Sequence, residues 1–195
     1  MCKIILVNGS PKKGGNTFYL LSEMEKYIKE AGAECEIIYI TEGLMKAKTP
    51  FCVCCSSPCN KSCYKDTPLE EMLAKMKEAD GIVFGSPVYF GSMSAQLKAL
   101  FDKMRDVRAD KAFLGKAGCA VVSGASKYGG QETAVRAIHD CMLVMGMKII
   151  GDSDTQIGSG HFGVCAWQKD LNDEYTVNRL KATAFRLVKE ASKKQ

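Results

Sequence analysis

The chain has 195 residues, of which 46% are hydrophobic and 25% charged. At roughly 150 residues per domain this length suggests one domain with an insertion, large enough for a core without disulfides and too apolar for a disordered chain. Lys and Arg number 27 against 22 Asp and Glu, a net charge of +5, part of it in the Lys193-Lys194 tail. No basic face interleaved with aromatics marks a nucleic-acid binder. No run reaches about 18 apolar residues, so no membrane insertion is expected. The start, Met1-Cys2-Lys3, turns polar too soon for a secretion signal, and the expectation is a single domain over 1–195 in a reducing, cytoplasmic setting.

In chain order, Lys3 to Asn8 is a short apolar run that predicts a first strand. A turn-rich segment, Gly9 to Asn16, separates it from a helix over Thr17 to Glu30, with Leu21, Met24 and Ile28 on one face and Gly32 just beyond. Glu36 to Ile40 is a second strand. From Thr41 to Thr67 the periodicity disappears, and an insertion (43–66) rich in Cys, Ser, Pro and Lys is the natural reading. Leu69, Met72, Leu73 and Met76 are spaced for a helix, Gly81 to Pro87 for a third strand, and Ser94 to Met104 for another helix. Cys119 to Val122 is a fourth strand, Gln131 to Met145 a helix, and Met147 to Ile150 a fifth strand. A Gly-rich aromatic stretch, Gly158 to Trp167, leads to a last helix near Leu171 to Ala191, so residues 158–195 read as a C-terminal extension. Strands alternating with helices imply an α/β protein with a parallel sheet covered on both faces. Ligands in such sheets bind beyond the carboxyl ends of the strands.

Three loops fall at those ends. The first, Ser10-Pro11-Lys12-Lys13-Gly14-Gly15-Asn16-Thr17, has glycines that let backbone approach an anion and the N-terminus of a helix to attract it. Ser10 and Thr17 add hydroxyls, Asn16 an amide and Lys12 a charge. The loop matches neither the Gly-Lys-Ser/Thr phosphate motif nor Gly-x-Gly-x-x-Gly, and an ordinary turn with a helix cap accounts for it equally well. The second, Pro87 to Ser94, sets exposed backbone beside Tyr89 and Phe90, suited to a flat heterocycle or to a hydrophobic turn capped by Ser94. The third, Ser126 to Gln131, offers Tyr128 and two glycines as a second wall.

Gly9 through Thr17, then Ser86 through Ser94, then Gly129-Gly130-Gln131-Glu132 resemble in order the NAD(P)H-dependent FMN reductase family of flavodoxin-like proteins. The resemblance covers about residues 3 to 151. It implies a three-layer sandwich with a five-stranded parallel sheet of order 2-1-3-4-5 and a Cys-rich insertion after strand 2. It gives Ser10, Lys12, Asn16 and Thr17 to the FMN phosphate. Pro87, Val88, Tyr89, Phe90, Gly91 and Ser92 go to the isoalloxazine and ribityl chain, and Ala125, Ser126, Tyr128, Gly129, Gly130 and Gln131 to the far side of the flavin. Flavin N5 is then the reactive centre and no side chain needs to be catalytic. Neither His139 nor His161 is required for hydride transfer, and Asp152 and Asp154 have no matching ligand set for a divalent metal.

Ten cysteines are present, and five of them, Cys52, Cys54, Cys55, Cys59 and Cys63, lie within twelve positions. Without a secretion signal such a cluster points to metal binding or electron exchange rather than structural disulfides. Within the family it resembles the insertion of iron–sulfur flavoproteins, which implies a [4Fe-4S] cluster on Cys52, Cys55, Cys59 and Cys63, although the spacing here is Cys-x2-Cys-x3-Cys-x3-Cys. A zinc ion on four thiolates and metal-free thiols are the alternatives. The resemblance further implies FMN-dependent electron transfer, an NAD(P)H or ferredoxin-like donor, a small-molecule acceptor and a homodimer or homotetramer. The alternatives are an NAD(P)H-dependent FMN, quinone or azo-type reductase without a cluster, and a non-enzymatic zinc- or flavin-binding structural or sensing protein.

Overall fold

In the computed structural model, which describes residues 1–153, 155, 158–168 and 171–193, the strands form one parallel sheet. Its central path runs β2 (Glu34–Tyr39), β1 (Lys3–Asn8), β3 (Gly81–Pro87), β4 (Ala117–Gly124), β5 (Lys148–Ile149), the order 2-1-3-4-5 expected of a flavodoxin-like sandwich. The strand order reverses at β1, which is flanked by β2 and β3, and the carboxyl ends of β1 and β3 are where sheets of this kind bind their ligands.

The two faces of the sheet are written in the alternation of side chains along each strand. Ile5 and Val7 of β1, Ile82 and Phe84 of β3 and Ala120 and Val122 of β4 point to one side. There they meet α2 (Ile40–Lys46), α3 (Pro68–Glu78), α4 (Ala95–Lys103), α5 (Arg105–Ala109) and α6 (Gln131–Val144). Ile4, Leu6, Val83, Cys119 and Val121 point to the other side, against α1 (Asn16–Glu30) and α7 (Glu174–Ala191). The strands are therefore buried on both faces and read as continuous apolar runs.

Most elements lie within a few residues of their expected positions, and the differences have local causes. The fifth lane of the sheet is divided: β5 pairs only with Ala117 and Gly118, and β6 (Val164–Trp167) continues the lane along Val121 to Gly124. Between the two, the chain departs and returns at Gly163, where a Cβ would stand 2.8 Å from the Ala120 carbonyl oxygen. The short helix α2 follows β2 directly, inside the stretch where no periodicity was visible. It can pack there because Gly43 lets the backbone of Leu69 come within 3.1 Å of where a Cβ would be. The last helix begins at Glu174 rather than near Leu171 because Asp173 caps it, accepting a 2.6 Å hydrogen bond from the Thr176 amide. No helix among the described residues is long and apolar enough to cross a membrane.

Leu21 of α1 is fully buried, and its methyl groups fill the space over Gly85, where a Cβ would stand 2.8 Å away. This contact fixes the height of α1 above β3. Truncating Leu21→Ala should lower unfolding free energy by about 2–5 kcal/mol, read as a shift of the urea midpoint; a loss below about 1 kcal/mol would show that α1 is not held by this packing.

Candidate functional site

The three loops meet at the carboxyl ends of β1, β3 and β4, and polar contacts between them set their positions. The Gly9 amide donates to the Gly85 carbonyl at 2.9 Å, and a Cβ at Gly9 would lie 2.8 Å from that oxygen and 2.9 Å from Leu97 Cβ. Only a glycine permits this approach of the first loop to β3 and α4. Ser94, fully buried, donates its hydroxyl to the Gly9 carbonyl at 2.6 Å and accepts the Leu97 amide at 3.1 Å as the N-cap of α4. The Ser94 amide in turn donates to Ser86 Oγ at 2.9 Å.

The first loop is held from below. Asn8 Oδ1 accepts the Ser10 amide at 2.9 Å, Ser10 Oγ accepts the Lys12 amide at 3.1 Å, and the Thr41 hydroxyl donates to the Ser10 carbonyl at 3.2 Å. Thr17, also buried, lies 3.4 Å from Ser123 Oγ at the end of β4. Helix α1 starts at Asn16 behind Gly15, with no side-chain cap and no acidic residue in its first turn. Its leading amides therefore lack a side-chain acceptor, and its positive end carries no compensating carboxylate. The buried Asn8 Nδ2 has no hydrogen-bond partner among the described residues, an unmet donor at the floor of the same loop. Of the two lysines, Lys13 pairs with Glu42 and lies 5.9 Å above the Tyr39 ring, while Lys12 is exposed.

The second loop turns on two residues. Tyr89 and Ser92 exchange backbone hydrogen bonds of 3.0 Å each, and the intervening Phe90 and Gly91 have φ of 50° and 71°. Consecutive positive φ values are those of a type I′ turn, which favours Gly or Asn. A fully exposed phenylalanine in the first of these positions is a strained and solvent-facing choice. Pro87 pairs in register with Ser123, and the Val88 amide donates to the Ser123 carbonyl at 2.9 Å.

The third loop closes against the second. Gly130, with φ of 90°, precedes α6, and a Cβ there would lie 2.8 Å from Gly91 Cα. The two walls thus touch backbone to backbone. Gln131, buried, braces the loop from within: its amide donates to the Ser126 carbonyl at 2.6 Å and its carbonyl accepts the Gly129 amide at 2.9 Å. Ala125, Ser126 and Tyr128 face solvent, and a cavity of about 620 Å³ behind them is lined by Tyr128, Gln131, Trp167 and Tyr175. All the flavin-site residues singled out in the sequence therefore lie on these three loops or at the start of α1. The bracing residues Asn8, Ser86, Ser123 and, in its link to Gly9, Ser94 were not foreseen. Their signal was a small polar residue at the carboxyl end of an apolar run.

The cysteine segment is a different matter, and here the expected [4Fe-4S] centre is corrected. Among the described residues no group of three or more His, Cys, Asp or Glu side chains is arranged to hold a metal ion; this removes the zinc alternative as well. All ten cysteines are free thiols. The four expected ligands, Cys52, Cys55, Cys59 and Cys63, do not form such a group. Cys52 Sγ accepts the Cys54 amide at 3.4 Å, Cys55 Sγ lies 3.8 Å from Ser62 Oγ, and Cys63 Sγ accepts from Lys103 Nζ at 3.4 Å. Cys59 is half-buried, and it neighbours Arg105, whose pKa is raised first by Cys54 and further by Cys52 and Cys59.

The segment is anchored instead by Tyr64. Its buried ring donates a short hydrogen bond to Asp106 of α5, and Lys61 and Lys77 approach the same carboxylate at 3.6 and 3.4 Å. Burial, followed by this hydrogen bond, raises the pKa of the phenol.

The two histidines are outside the three loops. His139 is buried in α6, where burial lowers its pKa, and His161 lies 3.8 Å from the buried Asp152, which also faces Arg179 at 3.7 Å. Asp154 lies outside the described residues.

A doubly covered parallel sheet whose β1, β3 and β4 loops form one braced cradle defines a flavodoxin-like, FMN-dependent oxidoreductase. The family model for NADPH-dependent FMN reductase matches residues 2–162. An iron–sulfur flavoprotein of Methanocaldococcus jannaschii is 43% identical over 83% of this chain and 82% of its own length. An NAD(P)H dehydrogenase (quinone) of Chromohalobacter salexigens is 38% identical over 47% of each chain. An NADH:FMN oxidoreductase solved in its apo form superposes with a TM-score of 0.74, at 16% identity, over all of this chain and 92% of the other, a likeness of fold. The chain belongs to the NADPH-dependent FMN reductase family, in the branch whose curated archaeal members carry the name iron–sulfur flavoprotein.

If the link between Ser94 and Gly9 sets the cradle, Ser94→Ala should cost about 1–3 kcal/mol of stability through the lost cap and an unmet buried carbonyl. It should also weaken FMN binding about tenfold, since the first loop then floats against the second. Fluorescence titration of the flavin reads the second effect; unchanged affinity in a folded variant would show the loops to be independent.

Proposed function

We propose that this chain is an NAD(P)H-dependent FMN reductase that works without a metal cluster and passes electrons to a small acceptor of the quinone or azo type. The observation that carries this reading is the braced cradle itself: three loops locked at Gly9–Gly85, Ser94–Gly9 and Gly91–Gly130, beside the uncapped start of α1. The residues present fit FMN. An anion needs donors without a competing carboxylate, which the first turn of α1, Ser10, Asn16 and Thr17 supply, with Lys12 as an exposed charge on the same loop. A buried donor without a partner, Asn8 Nδ2, stands below the same loop.

When bound, FMN supplies two-electron chemistry at N5. The protein's part is to hold and to shield. Pro87, Val88, Tyr89, Phe90, Gly91 and Ser92 would face one side of the ring system and the ribityl chain with backbone donors and acceptors. Ala125, Ser126, Tyr128, Gly129, Gly130 and Gln131 would close the other side. Exposed Phe90 and Tyr128, at the tips of these two loops, give an aromatic rim on which a planar acceptor or a nicotinamide could stack. No side chain is needed to move a proton for hydride transfer into the ring, and His139 and His161 lie away from the loops' contacts. The whole chain, 1–195, would act as one flavin-binding domain in a homodimer or homotetramer, with 43–66 as an insertion and 158–195 as an extension within it.

The test is anaerobic mixing of FMN-loaded, chelator-treated protein with NADPH or NADH. Full bleaching of the flavin band, followed by multiple turnovers once a benzoquinone is added, is the expected result. A flavin that neither nicotinamide reduces, but that a low-potential one-electron donor does, would contradict the reading and leave an electron carrier in its place.

A further inference from the structure

Lys103, the last residue of α4, is 1% exposed. A lysine ammonium is almost never fully buried unless it is paired. The buried carboxylate of this region, Asp106, is engaged by the Tyr64 hydroxyl, Lys61 and Lys77. The hydrogen bond recorded for Lys103 Nζ is to the sulfur of Cys63, at 3.4 Å. Among the described cysteines, Cys63 is the one whose sulfur meets a lysine amine in this way.

The backbone on both sides of Cys63 is fixed. Its own carbonyl accepts the Lys48 amide at 2.9 Å, and the next residue, Tyr64, is 1% exposed, donates its amide to the Lys61 carbonyl at 2.9 Å and anchors its ring hydroxyl on Asp106. Cys63 as a residue is only half-buried. Nitrogen and sulfur are thus held in contact at a place the flavin site does not use, and such positioning replaces a bimolecular encounter by a local one.

We propose that Cys63 and Lys103 form a reversible redox cross-link, an S–N bond made when hydrogen peroxide oxidises the thiol. Peroxide first converts the Cys63 thiol to a sulfenic acid and releases one water. Lys103 Nζ, as the free amine after giving up its extra proton to solvent, then attacks the sulfur, the S–O bond breaks, and the hydroxyl departs as a second water with one proton from the nitrogen. Overall, thiol, amine and one peroxide give a sulfenamide and two waters; sulfur is oxidised and peroxide reduced. Sulfenic acids are known to be captured by nitrogen in this manner, and an external thiol reverses the bond. The link would tie the cysteine segment covalently to the end of α4, the helix whose first turn holds the flavin loops together through Ser94.

The experiment is peptide mapping of the full chain, reduced, freed of reductant and exposed to stoichiometric hydrogen peroxide. The expected product is a linked peptide pair lacking two hydrogens, with the Lys103–Met104 bond uncut by trypsin and both free residues restored by dithiothreitol. Lys103→Met, which keeps the side-chain volume, should yield no such pair and send Cys63 on to its sulfinic acid. Recovery of wild-type Cys63 as a disulfide with another cysteine, or as an over-oxidised acid beside an unmodified Lys103, overturns the proposal. A linked pair heavier by one oxygen atom overturns the S–N bond. The wild-type map decides even if Lys103→Met does not fold.

Discussion

The site depends on the buried hydroxyl of Ser94. It accepts the Leu97 amide and so starts α4, while donating to the carbonyl of Gly9 and so pinning the loop that follows β1. Beside it, the Gly9 amide meets the Gly85 carbonyl across a gap that no Cβ would fit. A serine and a glycine far apart in sequence thereby convert two strand ends into a single rigid floor. Each buried polar group in this floor has a partner, and losing one would leave another unmet, at a cost larger than the bond itself contributes. The exception among the described residues is Asn8 Nδ2, at the foot of the first loop.

From that floor the two walls follow. Gly91 and Gly130 bring the second and third loops into backbone contact, while Gln131 holds the third in shape from inside. The aromatic tips, Phe90 and Tyr128, extend into solvent and do not fold back on the protein. Strain at Phe90, with its positive φ, costs on the order of 1 kcal/mol and persists because the Tyr89–Ser92 bonds enforce the turn. Rigid floor, touching walls and projecting aromatics are what a planar, phosphate-bearing cofactor requires of its host.

Much of this was legible in the chain. The alternation Ile4, Ile5, Leu6, Val7 already contains both faces of the sheet, and the three loops stand out as glycine and serine clusters after apolar runs. Other parts were hidden. Val164 to Trp167 is a strand because Gly163 lets the chain return beside β4, a tertiary accident that four residues of mixed character do not announce. The cysteines were misleading for a similar reason. Spacing records which sulfurs are near in sequence, but the shape of the segment is decided by Tyr64 reaching Asp106 and by Lys103 drawing Cys63 inward. Neither Asp106 nor Lys103 differs, as a letter, from the solvated charges around it; burial alone distinguishes them.

We propose that the β1, β3 and β4 loops form an FMN cradle whose anion end is the start of α1. Calorimetric titration of the flavin-free protein with FMN and with riboflavin tests it most directly, since the two differ only in the phosphate. The account predicts that FMN binds at least about a hundredfold more tightly, or roughly 2.7 kcal/mol, and that added inorganic phosphate narrows the gap. Equal affinities would show that the first loop does not hold the phosphate, and binding of neither flavin would remove the cradle altogether.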